Sequence, residues 1–257
     1  MSPLPLQRTW RLLASCLLGL ALAGCLQTDV TFEVRPDGSG RVIETHRVSE
    51  NAPWLPTGQG DALWPLTQPK ALAERARSMG AGVTAHADPV TRVGGDLIGR
   101  VTYEVANFNG LRWRFNSQPG DPSVVYRFEL DQRPGQPMAL TVVNDPNLVQ
   151  QLTSRPPAGE PPQPERDPVA QLKAAQGLRL NVQLKVDGTL LKSTGALQDG
   201  NETRLLSLDA NALMSSAGWE DRLRRLPALA QLGRPCSRAI EPGLHVDCQP
   251  RVRIWMR

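Results

Sequence analysis

Two short His-x-Asp stretches are the first places in this 257-residue chain where side chains could be held together for chemistry. His86-Ala87-Asp88 and His245-Val246-Asp247 would each put two metal-capable groups on one face of a strand, while His46 stands by itself. Two ligands are not a site, and surface strands carry such pairs by chance, so no metal is expected. Catalysis needs groups that reach one another within hydrogen-bond distance and can be tuned. The usual local signatures of that arrangement are missing: no Gly-x-Ser-x-Gly, no His-Glu-x-x-His, no Gly-x-x-x-x-Gly-Lys-Ser/Thr and no Gly-x-Gly-x-x-Gly. Lys192-Ser193-Thr194-Gly195 has a little of the Lys-Thr-Gly strand of penicillin-binding enzymes, but no Ser-x-x-Lys accompanies it. Carboxylates carry no local motif, so a hydrolase with scattered acidic residues stays open as an alternative. No cofactor is expected, and an enzyme is not the leading reading.

The thiols say more. Arg8 and Arg11 are the only charges before Cys25, Leu12 to Ala23 is an apolar run, and Gly24 and Cys25 close it. A charged start, an apolar middle of this length and small residues at the end make a secretory signal peptide over residues 1–24. The run is shorter than the roughly 20 apolar residues a membrane-spanning helix needs. Leu22-Ala23-Gly24-Cys25 resembles the bacterial lipobox. That resemblance implies cleavage before Cys25, a diacylglyceryl group on its thiol, and an acyl chain such as palmitate on its new amino group. Cys16 would leave with the signal. Two or more acyl chains anchor a protein stably where one does so only marginally. Leu26 replaces the Asp that favours inner-membrane retention in enteric bacteria. The expected place is therefore the cell envelope, with the outer membrane favoured and the domain facing the periplasm.

Export sets the redox compartment. Cys236 and Cys248 remain, and a pair of cysteines in an oxidising compartment most simply forms one disulfide. Two free thiols are the alternative. The net charge of +4 includes Arg8 and Arg11, so residues 25–257 are only mildly basic, and nucleic acid is not an expected partner. Arg222, Arg224 and Arg225 nevertheless crowd one stretch with Arg234 and Arg238, and Arg251 and Arg253 follow near the end. Beside an anionic membrane each such base contributes about 1 kcal/mol. The same arginines also suit a solvated helix face whose stems cover apolar surface.

The elements that must carry these residues are mostly strands. Val30 to Arg35 alternates apolar and polar, Pro36-Asp37-Gly38-Ser39-Gly40 is a turn, and Arg41 to Val48 returns, which predicts a β-hairpin over 29–48. Residues 49–68 are irregular, with Trp54 and Trp64 among prolines. Pro69 to Met79 reads as a helix with Leu72, Ala76 and Met79 on its inner side and Gly80 after its end. Strands are expected at Val83 to Pro89 and Asp96 to Ala106, joined through Gly94-Gly95, and at Val124 to Leu130 and Met138 to Val143. A turn is expected at Pro119 to Pro122. Residues 25–155 thus form a β-rich first half with one helix.

Residues 156–168 hold six prolines and act as a linker or long surface loop. Residues 169–257 form an α+β second half packed on the first. Asp167-Pro168 would start a short helix ending before Gly177, with Val169 and Leu172 inward. Strands follow at Leu178 to Val186, Leu190 to Leu197 and Thr203 to Leu208, the first two joined by Asp187-Gly188. A helical region, interrupted near Gly218 and at Pro227, covers 210–232. Arg251 to Arg257 alternates again, with Val252, Ile254 and Met256 on the buried side. An echo links the halves: Val30 to Gly38 and Leu180 to Gly188 both end in Asp-Gly. Asn107 to Leu111 is expected to be a short turn or a helix start, and it resembles Asp209 to Leu213 in fitting a side chain that caps a helix. Convergent hairpin chemistry and internal duplication both fit it.

A lipobox cysteine followed by a strand, an Asp-Gly turn, a return strand, a helix and further strands is similar in layout to the LppM-type envelope lipoproteins, over about residues 25–215. The resemblance implies a mixed α/β soluble domain and binding of lipid or glycolipid, with no functional residue carried over. The expected fold class is α+β, antiparallel hairpins and sheet packed with a few short helices. The expected function is a membrane-anchored, non-enzymatic binding or structural module for a lipid, an amphiphile or a partner protein. An assembly factor docking through Arg222, Arg224 and Arg225 is a further alternative. An apolar tunnel in the folded domain would favour carriage, and a solid core would favour docking.

Overall fold

The alternation of the first strand sets the core. The computed structural model describes residues 26–49, 68–115, 125–144, 169, 172–173, 176–221, 243–247 and 249–257. Strand β1 (Leu26–Val34) pairs antiparallel with β2 (Gly40–Ser49), as the hairpin reading requires. Residues 1–25 with Cys25, Trp54 and Trp64, the Pro119–Pro122 turn and the Pro-rich stretch 156–168 lie outside the described residues. So do Arg222, Arg224, Arg225, Arg234, Arg238, Cys236 and Cys248.

Helix α1 (Pro69–Met79) follows, then strands β3 (Val83–Ala87), β4 (Thr91–Val93), β5 (Asp96–Val105), β6 (Arg112–Arg114), β7 (Val125–Asp131) and β8 (Met138–Asn144). The second half supplies β9 (Arg179–Val186), β10 (Leu190–Ser193), β11 (Leu197–Asp199), β12 (Glu202–Asp209), helix α2 (Ala210–Ser215), β13 (Leu244–Val246) and β14 (Arg251–Met256). They build two open sheets. The larger runs β11-β12-β9-β1-β2-β5-β3, with β13 added to β12 and β4 to β5. The smaller runs β10-β14-β8-β7-β6. The fold is mainly β with a few short helices, within the α+β expectation.

The two sheets meet through aromatic side chains. Phe32 of β1 has its ring centroid 4.8 Å from Phe128, 5.7 Å from Trp113 and 6.0 Å from Tyr126, all on the smaller sheet. Phe108 packs edge-on to Phe128 at 5.3 Å. Val30, Val42, Val182, Leu184, Leu140, Val142, Val252 and Ile254 complete this layer and are fully buried. Edge-to-face rings favour one another beyond the area they bury, so this part of the interior is solid.

Both halves contribute to both sheets. Strand β1 pairs parallel with β9, Val30 beside Val182 and Phe32 beside Leu184, and β8 pairs with β14. The two echoing stretches are thus neighbours in one sheet.

Two expectations change and a third is narrowed. First, Asp187-Gly188 does not close a hairpin. Strand β9 joins β12 and β1 in the larger sheet, whereas β10 pairs with β14 in the smaller one. Gly188 sits where three segments converge, and a Cβ there would lie 2.8 Å from the Arg257 carbonyl oxygen and 2.9 Å from Pro36 Cγ. Second, the strand expected over Leu190 to Leu197 is two. Its first part, β10, belongs to the smaller sheet, and its last residue begins β11 in the larger. The chain crosses at Gly195, where a Cβ would lie 2.3 Å from Thr203 Cγ2. Third, of the two readings open for Asn107 to Leu111, short turn or helix start, the turn is the one that forms. Asn107 Oδ1 accepts from the Asn109 N–H at 2.7 Å, making a turn that leads to β6. Asp209 does cap α2, accepting from the Ala212 N–H at 3.0 Å.

Candidate functional site

The sequence alternation carries charge inside as well as apolar groups. In β2, Val42 and Val48 face the core, so period two also turns Glu44 and His46 inward. Glu44 is 0% exposed. In α1, Arg75 lies three residues after Leu72 and four before Met79, so it shares their buried face. The two meet: Arg75 Nη2 donates to Glu44 Oε1 at 2.5 Å. Trp113 Nε1 donates to the same oxygen at 2.6 Å, and Arg75 Nη2 also reaches the Arg114 carbonyl at 3.2 Å. His46 Nε2 lies 3.6 Å from Glu44 Oε2, and its Nδ1 pairs with Thr28 Oγ1 at 3.2 Å. The guanidinium sits over the Tyr103 ring at 5.9 Å.

The electrostatics of this cluster are decided by partners rather than by water. Burial by itself raises the Glu44 carboxyl, but His46 and Arg75 together hold it down to about 2. Burial, followed by the Glu44 charge, raises the Tyr103 phenol. The arrangement pins α1 to β2 and β6. It positions elements and offers no open approach to a ligand.

The open site is elsewhere. The outer face of the smaller sheet carries Arg251, Arg253 and Trp255 of β14, with Trp255 opposite Ala139 and Arg253 opposite Thr141 on β8. Two adjoining hollows run across this face, and a third lies at its end. The one at the end, of about 700 Å³, lies by Pro36, Arg133, Gln136, Met138 and Arg257. Of the two across the face, one of about 390 Å³ shares Arg133 and Gln136 with it, and the other, of about 430 Å³, shares Asp131 and Arg253 with the first of these two. Together they form one groove.

Charge in the groove is partly spent and partly free. Arg251 pairs with Glu129, and Arg133 holds Asp131 with contacts of 3.1 and 3.2 Å. Among the described residues no carboxylate pairs with Arg253 or Lys192. Both instead lie against the Trp255 ring, Lys192 Nζ at 5.3 Å and the Arg253 guanidinium at 5.5 Å. The Arg253 backbone N–H is fixed by Thr194 Oγ1 at 2.9 Å. Two cations held on one aromatic ring, over a floor of small β8 side chains, can receive an anionic group. The two acidic residues in the groove are each engaged by a guanidinium.

The expected positions divide. Arg251 and Arg253 come to this groove. Asp247 is buried, its carboxylate accepting from the Ala196 N–H at 2.9 Å and the Gln249 N–H at 3.1 Å, so it organises the sheet crossing. His245 is buried beside it on β13, and burial lowers its imidazole. His86 and Asp88 are exposed, with Asp88 4.0 Å from Arg100. Among the described residues no three His, Cys, Asp or Glu side chains gather as metal ligands. No helix among them is long and apolar enough to cross a membrane. Cys25, Cys236, Cys248, Arg222, Arg224 and Arg225 stay outside the described residues. Sequence reading missed Lys192 and Trp255 as a pair, because only the β10–β14 pairing brings them together.

No protein-family model matches the chain, and no curated protein matches it. Among solved structures, the NMR structure of the folded domain of the Mycobacterium tuberculosis LppM protein overlaps it. That overlap covers 91% of this chain and 91% of the other, at 9% identity and a TM-score of 0.35.

Proposed function

We propose that the chain is a lipid-anchored, non-enzymatic docking module of the bacterial envelope, held by Cys25 and binding an acidic face of a partner protein through the groove of the smaller sheet. The observation that carries it is the Lys192–Trp255–Arg253 arrangement, two cations pre-set on one ring without a carboxylate partner among the described residues. Arginine matches a carboxylate with two parallel hydrogen bonds, and an indole that already orders it lowers the cost of binding. The interior supports docking over carriage, because Phe32, Trp113, Tyr126 and Phe128 fill the space between the sheets.

Titration with a poly-glutamate peptide, followed by tryptophan fluorescence, tests this. Binding should perturb the emission, weaken as salt is added, and disappear in Arg253→Glu. An unchanged spectrum, or a response that survives Arg253→Glu, contradicts the reading.

A further inference from the structure

The geometry points to a membrane-facing pole: the start of β1 and the β4–β5 hairpin tip, Val93-Gly94-Gly95, rest on the leaflet that holds Cys25, and the docking groove opens at the far end. This rests on the anchoring reading above. Leu26, the residue after Cys25, already belongs to β1. No spacer separates anchor and fold, and one residue spans at most about 3.6 Å. A stably acylated cysteine must therefore hold the beginning of β1 at the headgroups.

The sheet register says what else comes down with it. Leu26 is opposite Val48, Val48 is opposite Leu97, and Leu97 is opposite Arg92. One step further out, Ser49 is opposite Asp96 and Asp96 is opposite Val93. The hairpin tip therefore lies on the same rim as Leu26, three strand spacings away, or roughly 14 Å. Every residue of β4 is exposed, and Val93 is 57% exposed. It is one of two large apolar side chains so exposed among the described residues, the other being Leu191. Gly94 and Gly95 both have positive φ, of 60° and 84°, so the tip turns tightly and presents no bulk. An isolated apolar side chain on a surface needs no explanation. One on the rim that the anchor brings against lipid meets an apolar environment there.

The opposite end follows from the same register. Val34 is eight residues along β1 from Leu26, roughly 27 Å. Beyond it lie Pro36, Arg257 and Gln136, which line the largest hollow of the groove. The partner is thus met on the side away from the lipid.

Lipidated full-length protein in vesicles of phosphatidylethanolamine and phosphatidylglycerol, doped with a nitroxide headgroup lipid, tests this. A bimane label is placed at Val93→Cys or at Gln136→Cys, with unsubstituted protein as background. The label at 93 should lose most of its emission and the label at 136 little of it. Equal quenching, or stronger quenching at 136, with acyl chains present on the N-terminal peptide, overturns the orientation and leaves the anchor standing. An N-terminal peptide without acyl chains overturns the anchor and the orientation together.

Discussion

Arg75 Nη2 lies 2.5 Å from Glu44 Oε1, joining the one long helix among the described residues to the middle of the larger sheet by a fully buried ion pair. Removing one partner strands the other charge away from water, which costs about 3–5 kcal/mol. Arg75→Met should therefore lower stability by that order in denaturant unfolding. The double variant Arg75→Met with Glu44→Gln should recover part of the loss. A double variant no better than the single one would show that the pair is not what Arg75 contributes.

Acid should weaken the fold through two groups of the same sign. The Glu44 carboxyl is at about 2 in the fold against an ordinary 4.5. A depressed value means stability fully present above pH 4.5 and lost as pH falls toward 2. His245, lowered from 6.5 by burial, favours its neutral form and loses its contribution as pH falls below 6.5. Urea midpoints should thus decline from near-neutral pH downward, and Glu44→Gln should flatten the lower part of that curve. A midpoint that rises on acidification contradicts this.

Gly188→Ala tests the crossing between sheets. The added methyl meets the Arg257 carbonyl oxygen and Pro36. Forcing such contacts apart costs about 1–3 kcal/mol, and the unfolding midpoint should fall accordingly. An unchanged midpoint would mean that Arg257 is not held against this turn.

Cys25→Ser should release a folded domain from the membrane after export, because the sheets and their core are built from residues beyond it. Membrane fractionation with circular dichroism of the released protein reads this. A variant that stays membrane-bound although residues 1–24 have been cleaved off denies Cys25 its anchoring role. Peptide mapping without reductant should also find Cys236 joined to Cys248, and two free thiols would exclude that bridge.

Local signals were legible where the chain's own chemistry decides. Pro69 at the start and Gly80 after the end gave α1 its bounds, and alternation gave β1, β2 and β14 their buried sides. Partner choice was not legible. Asp187-Gly188 turns the chain equally well into a hairpin or out of its sheet, and only the packing of β10 on β14 selects the second. Arg112-Trp113-Arg114 is too short to show a period, although Trp113 sits in the core. The buried cluster was readable in principle. Glu44 and His46 share the phase of Val42 and Val48, and Arg75 shares a helix face with Leu72 and Met79. Charge argued against that placement until each charge was seen with its partner. The groove required the tertiary fold, since Lys192 and Trp255 are far apart in sequence.

The most direct test of a docking groove is photo-crosslinking in cells from benzoylphenylalanine at Gln136, with the same group at Glu74 on the exposed side of α1 as the comparison. An adduct from position 136 with the mass of a second, acidic protein is expected, lost when Arg253→Glu is added, with no such adduct from position 74. An adduct from 136 that persists with Arg253→Glu, or none from 136 at all, would contradict the docking groove.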